Sequence, residues 1–192
     1  MEEKLDQLLT TVNLKRLLQG KQIGERPPWR EKFGAKGRSR IFAAIDRLKS
    51  MGSLTVEARL DAYGSGYASF GDVFVYPRDG STTTDLSGGH RTIRGIRIYL
   101  AINAPVAAYG ASSVGRHARG GSSSFLGPDA LYGITEDLRR TEHHVREALA
   151  SSGFLLLPRS LAERPLPFEA ELRTNLGEPP YRVFDALFHW FD

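Results

Sequence analysis

Cysteine is absent from the 192 residues. Its absence excludes disulfide scaffolding, thiolate metal sites, thiol nucleophiles and thiol redox chemistry together. Long apolar runs are also missing: the strongest, Tyr99 to Tyr109, is interrupted by Asn103 and Pro105 and is too short to cross a bilayer. The start, Met1-Glu2-Glu3-Lys4, is acidic where a secretory signal is basic, so the expectation is a cytoplasmic protein with no membrane partner. No P-loop, no G-x-G-x-x-G fingerprint, no H-E-x-x-H pair and no G-x-S-x-G elbow occurs. These gaps lead to the expectation of no cofactor and no metal, and point away from an enzyme.

Acidic residues are unevenly missing. Residues 1 to 52 hold twelve Lys and Arg against six Asp and Glu, whereas residues 53 to 192 hold fourteen against sixteen, so the net charge of +4 resides in the N-terminal quarter. Between residues 86 and 128 there is no Asp or Glu at all, while His90, Arg91, Arg94, Arg97, Arg116, His117 and Arg119 are present. Arginine forks, serine hydroxyls and backbone N–H groups freed by glycine can together receive an anion. Arg94, Arg97, Arg116 and Arg119 are therefore candidate anion-binding residues for a nucleic acid or phosphorylated ligand. A solvated loop beside an Arg-bearing strand would give the same pattern. A second basic segment, Lys21 to Arg40, interleaves cations with Trp29 and Phe33, a pattern that suits phosphate tracking and base stacking as well as a stapled loop.

What is present reads as α+β, and the length fits one domain, residues 1–192, in which 1–37 form a helical, basic N-terminal segment and 38–192 the core. Leu5, Leu8, Leu9 and Val12 share one helical stripe and Leu14, Leu17 and Leu18 another, which predicts two short helices, the second capped by Asn13 and ended by Gly20. Ile41, Phe42, Ile45 and Leu48 predict a helix starting at Ser39 and ending at Gly52. From Leu54 to Ala62 the period is two, and Ser69 to Tyr76 and Ile96 to Ile102 extend a mainly antiparallel sheet, with Gly95 marking a bulge. Gly110 to Gly127, with five Gly and five Ser, reads as a long loop. A long helix over residues 134–152, capped by Thr135, packs on one sheet face. Residues 183–191 fit helix or strand equally well.

Other polar groups have ordinary explanations. His143 and Glu147, four apart on that helix, read as a solvated face, and Glu57 and Asp61, four apart on a strand, as charges on the wet side of a sheet. His117 with the nearby serines, or His90, would be the centre of an enzyme with an unfamiliar site.

Leu166-Pro167-Phe168, followed by Tyr181-Arg182-Val183-Phe184-Asp185-Ala186-Leu187-Phe188-His189-Trp190-Phe191-Asp192, resembles the closing segment of small bacterial proteins, some of which are similar to immunity proteins of polymorphic toxin systems. The resemblance spans about thirty residues. It implies a non-enzymatic module that binds a protein partner, in the immunity case a cognate toxin. Because the chain is basic, such a toxin is expected to present an acidic surface. The expected contact residues are Trp29, Tyr63, Tyr67, Arg97 and Tyr99, since aromatic and Arg side chains dominate interface energies.

Overall fold

The structure, a computed structural model, describes residues 2–24, 35–61, 66–117 and 120–191, with backbone alone over 35–39. Two short helices open the chain, α1 (Glu2–Leu8) and α2 (Thr11–Leu18). Glu2 and Glu3 lie in the first turn of α1, where negative charge complements the helix dipole. The cap of α2 is Thr10, whose hydroxyl accepts from the Asn13 N–H at 3.3 Å. Asn13 itself turns back and donates its side-chain N–H to the Leu8 carbonyl at 2.8 Å, tying the two helices together instead of capping the second. Gly20, at φ +68°, follows the end of α2 in the left-handed conformation that glycine tolerates best.

Helix α3 (Ala35–Ser50) begins four residues before Ser39. Ala35, Lys36 and Arg38 are strong helix formers, and they carry the helix through Gly37. Ile41, Ala44, Ile45 and Leu48 form its buried face, whereas Phe42 points outward and is 44 % exposed. A 3₁₀ turn over Glu136–Leu138 leads into α4 (Arg139–Ser151). This is the long helix expected from the sequence, although Thr135 makes no side-chain capping bond.

Among the described residues the central sheet has seven strands. β1 (Leu54–Arg59), β3 (Phe70–Pro77), β5 (Arg91–Ala101), β6 (Val106–His117) and β7 (Gly120–Ser123) follow one another in space, each antiparallel to the next. β4 (Thr83–Asp85) pairs with the start of β5, and β8 (Leu155–Leu156) lies parallel to β6. A separate two-strand ribbon joins β2 (Tyr67–Ala68) to β9 (Trp190–Phe191).

One sheet face is apolar along its whole middle: Leu54, Val73, Val75, Ile96, Ile98, Leu100, Ala107 and Tyr109 pack against α3 and α4 in one core. At one end of the opposite face Phe70, Tyr99, Val106 and Ala108 pack under the N-terminal helices, α5 (Arg159–Ala162) and α6 (Val183–Leu187) in a second core. Phe184 and Phe188 of the tail surround Tyr99 there. The aromatic C-terminus thus uses both conformations its pattern allowed, a short helix followed by the strand β9.

The Gly- and Ser-rich stretch is strand, not loop, from Gly110 to His117 and again from Gly120 to Ser123. Its backbone groups are satisfied by the ladders to β5 and within the β6–β7 hairpin, so glycine entropy is outweighed by pairing. On the β6 side no bulge occurs at Gly95: the β5–β6 register runs one to one from Arg91↔Arg116 through Gly95↔Ser112 to Leu100↔Ala107, while on the other edge the β3 ladder ends at Ile96 and the β4 ladder begins at Ile93. Glycine is required there for a different reason. A Cβ at residue 95 would lie 2.5 Å from the Val75 carbonyl oxygen and 2.8 Å from the Phe74 ring.

That close approach marks a bend in the sheet. Glu57, Phe74, Arg97 and Gly110 form one row across β1, β3, β5 and β6. Arg116 lies six positions beyond Gly110 on β6, about 20 Å away in a flat sheet. Yet its guanidinium donates to the Glu57 carboxylate. The distal half of β6 must therefore curl back toward β1, which gives the sheet a concave side.

Candidate functional site

The concave side holds a polar cleft of about 440 Å³. Glu57 and Arg59 come from β1, Asp72 and Phe74 from β3, Arg97 from β5, Val114 to His117 from β6, and Gly120 to Ser123 from β7. Alternation explains why these residues meet. Partners in an antiparallel ladder point to the same side, so the row Arg59↔Asp72 and the row Glu57↔Phe74↔Arg97 share the face opposite α3 and α4. The C-terminal helices cover only the far end of that face.

Arg97 forms the floor. It is 3 % exposed, and one terminal nitrogen, Nη1, donates to Asp72 Oδ2 at 3.0 Å. Its guanidinium lies over the Phe74 ring, 5.7 Å from the centroid. The Nε–H is buried and, among the described residues, has no hydrogen-bond partner. A buried guanidinium with an unused donor is expensive, because the desolvated N–H gains nothing in return. The side-on edge of the guanidinium fork, Nε with the second terminal nitrogen, is the edge that grips carboxylates and phosphates in bidentate fashion.

The cleft mouth is spanned by a second ion pair, Arg116 with Glu57, with side chains 44 % and 39 % exposed. The same Glu57 oxygen accepts from the Tyr76 hydroxyl at 2.9 Å, which fixes the carboxylate from the β3 side. Burial and the bond to Glu57 both push the Tyr76 hydroxyl above its ordinary pKa, so it stays a donor through the neutral range. Ser122, Ser123 and His117 line the remaining wall.

Of the four arginines expected to bind anions, two therefore meet in the cleft, Arg97 and Arg116. Arg94 points to the helix side of the sheet, where it pairs with Asp137 at 2.8 Å. Arg119 lies outside the described residues, as do Trp29, Tyr63 and the basic stretch from Glu25 to Gly34. Of the expected partner contacts, Tyr67, Arg97 and Tyr99 are among the described residues. Tyr99 is fully buried, ringed by Phe70, Phe184 and Phe188, and its hydroxyl accepts from the Leu126 N–H at 2.9 Å. Arg97 is buried as well, and the Tyr67 ring lies tilted against both His189 and Phe191, with centroids 5.7 Å away.

No family model, curated protein or solved structure matches the chain.

The cleft must therefore be read from its own chemistry. Among the described residues no three His, Asp or Glu side chains gather to hold a metal ion, and no helix is long and apolar enough to cross a membrane. His143 and Glu147 lie 3.6 Å apart on the exposed side of α4, as a solvated face would. Ser69, His189 and Asp185 supply the residue types of a nucleophilic triad, but their bonds are structural. The Ser69 hydroxyl donates to the Leu187 carbonyl at 2.9 Å and accepts from the His189 backbone N–H at 2.8 Å, while the His189 ring Nδ1 faces the Asp185 carbonyl at 3.2 Å. Since a carbonyl only accepts, Nδ1 carries the proton there. The serine oxygen is tied into the backbone and does not face the imidazole.

Sequence reasoning missed Glu57 and Asp72 as cleft residues. One signal for Asp72 was present: it is the single charge in the apolar strand Phe70 to Tyr76, as Arg97 is in the apolar run Ile96 to Tyr99. Opposite charges in two otherwise buried neighbouring strands indicate a buried pair.

Proposed function

We propose that the protein is a binding module for a small anionic ligand, which sits in the concave cleft on Arg97. The observation behind this reading is the buried Arg97 guanidinium, held by Asp72 through one nitrogen and left with an unpartnered Nε–H. A cleft of about 440 Å³ is within the size range of small-molecule sites. Buried guanidinium donors favour an anionic acceptor, because a charge-assisted hydrogen bond offsets the cost of desolvation. Arg116 and the serine hydroxyls supply further donors at the wall.

This reading keeps Arg97 and Arg116 from the acid-free stretch and narrows their ligand from nucleic acid to a small molecule. The Phe74 ring, the aromatic side chain among the described lining residues, is already covered by Arg97 and Tyr76 and offers no face for base stacking. A protein-binding role of the immunity type is the second reading. It rests on the terminal segment alone, since none of the described contact candidates shares an exposed patch.

The test is an amide NMR titration at low ionic strength with a set of small carboxylates and phosphates, each to tens of millimolar. The reading expects saturable shifts confined to residues near Arg97, Arg116 and Ser122. Uniform, non-saturating shifts, or shifts mapped to the helical face, would overturn it.

A further inference from the structure

We infer that His90 and His117 form a two-imidazole binding site for a divalent copper or zinc ion. The site is separate from the anion seat on the cleft floor, and neither depends on the other.

Strand register brings the two residues together. Arg91↔Arg116 is the last rung of the β5–β6 ladder, and His90 and His117 are the next residues outward on the two chains. Opposed positions on neighbouring antiparallel strands hold their Cβ atoms about 4.5–5.5 Å apart, which lets two imidazoles reach one ion. Both residues are exposed, so a hydrated ion can approach them.

The ring separation fits a chelate. A bound ion stands about 2.0–2.1 Å from an imidazole nitrogen, hence about 3.2 Å from the ring centroid. Two rings on one ion then have centroids about 4.5 Å apart at a square-planar angle and about 5.2 Å apart at a tetrahedral one. The His90 and His117 centroids are 4.9 Å apart, with the ring planes inclined at 38°. His143 and His144, neighbours on α4, have centroids 6.0 Å apart and fall outside that range.

Charge and space around the pair agree with this. Arg91 and Arg116 each hold a carboxylate, Arg91 with Asp85 at 2.6 Å and Arg116 with Glu57, so their repulsion of an incoming cation is reduced. The β6–β7 ladder sets Gly120 opposite His117, and among the described residues nothing stands within 4 Å of where a Cβ of Gly120 would be. Water can fill the remaining coordination positions there, which makes the site open where a structural four-ligand zinc is closed. An ion takes one nitrogen of each ring, so His117 can keep a hydrogen-bond partner at its other nitrogen, as metal-bound histidines generally do. Imidazole suits copper and zinc, whereas magnesium and calcium prefer oxygen ligands.

The experiment titrates the full chain with Zn²⁺, with Cu²⁺ and with Mg²⁺ at about pH 7.5, where an ordinary imidazole is neutral, and follows the amide and imidazole resonances by NMR. The expected result is one zinc per chain with a saturable Kd of about 1–100 µM, tighter binding of Cu²⁺, paramagnetic broadening that starts around residues 90 and 117, and no response to Mg²⁺. His90→Ala and His117→Ala should each lose at least about tenfold in affinity, the smallest loss seen when only an outer-shell partner is removed. The double variant should lose little more, because a chelate fails when either ligand goes. His143→Ala should leave the affinity unchanged. All three positions are exposed, and the amide spectrum of each variant reports whether the fold is kept.

Zinc shifts centred on His143 and Glu147 of α4, which lie 3.6 Å apart, would overturn the assignment. So would single-variant losses that simply add up to that of the double, the mark of two independent imidazoles. Shifts at residues 90 and 117 that do not saturate by the millimolar range would mean an adventitious ion only, and would overturn it as well. Each of these outcomes leaves anion binding standing, since the anion titration contains no metal.

Discussion

Replacing Asp72 with alanine removes the partner of a guanidinium that has almost no access to water. The Arg97 and Asp72 side chains are 4 % and 6 % exposed, with N and O 3.0 Å apart. At an effective dielectric near 20, two unit charges about 4 Å apart attract by about 4 kcal/mol, and breaking a buried pair from one side is measured at about 3–5 kcal/mol. Both figures predict the loss of a large part of a total stability of about 5–15 kcal/mol. With a urea slope of about 2 kcal/mol/M, the unfolding midpoint should fall by about 1.5–2.5 M. Replacing the whole pair, as Arg97→Met with Asp72→Leu, should restore most of that loss, since burying neither charge avoids the desolvation cost. The Glu57–Arg116 pair provides the contrast. Its side chains are 39 % and 44 % exposed, so Glu57→Gln should shift stability by only about 0–1 kcal/mol. Urea melts of the three variants test this directly. An Asp72→Ala midpoint within about 0.5 M of the parent protein, or equal costs for the two pairs, would refute the assignment of a desolvated floor.

Gly95→Ala should destabilise by about 1–3 kcal/mol, because its Cβ would meet the Val75 carbonyl oxygen at 2.5 Å, whereas Gly52→Ala, with nothing within 4 Å, should be neutral or mildly stabilising in the same thermal melts. Tyr99→Phe leaves the buried Leu126 N–H without its acceptor; it should cost about 1–3 kcal/mol, and hydrogen exchange at the Leu126 amide should accelerate. Burial holds the His189 imidazole below its ordinary pKa of 6.5. The unfolded chain therefore binds a proton more readily than the folded one, and the stabilisation present above that ordinary value is lost as pH falls through the depressed folded one. Tyr67 and the Asp185 carbonyl face the ring, and the buried Asp185 carboxyl, held above its ordinary value, contributes with the opposite sign in a more acidic window. The melting temperature should drop between pH 7 and pH 5 in the parent, and His189→Gln should flatten that drop; an unchanged slope would place its origin elsewhere.

The fold's elements were legible where periodicity was strong. Leu54 to Arg59, the Val73–Val75 strand and the Ile96–Leu100 strand announce themselves by alternation or continuous apolar runs, and the helix over 136–151 by spacing of Leu138, Val145 and Leu149. The Gly- and Ser-rich stretch was not legible. Its local composition favours loop, and only the ladder to β5, a partner distant in sequence until the chain turns at Ile102 to Pro105, makes it strand. Phe42 fell on the wrong side of α3 because an apolar residue one step from a buried neighbour lies about 100° around the helix.

The candidate site was half legible. Arg97 and Arg116 stand out from sequence because carboxylates are missing around them. Glu57 and Asp72 belong to other strands, and the curl of the sheet brings Glu57 to Arg116. No local pattern encodes that bend, since it depends on the Val75 carbonyl and the Phe74 ring meeting a residue without a side chain. Tyr99 looked like a surface aromatic for the converse reason: the tail residues Phe184 and Phe188 that bury it come from the far end of the chain.

The most direct test of the binding account is the Arg97 Nε–H resonance itself, observed by proton–nitrogen NMR in the free protein and during a glycolate titration. The account predicts a slowly exchanging signal, because the group is buried, that moves downfield and saturates as the carboxylate supplies the missing acceptor. A signal that stays fixed while glycolate is raised to tens of millimolar would show that the floor of the cleft does not receive an anion, and would contradict the account at its centre.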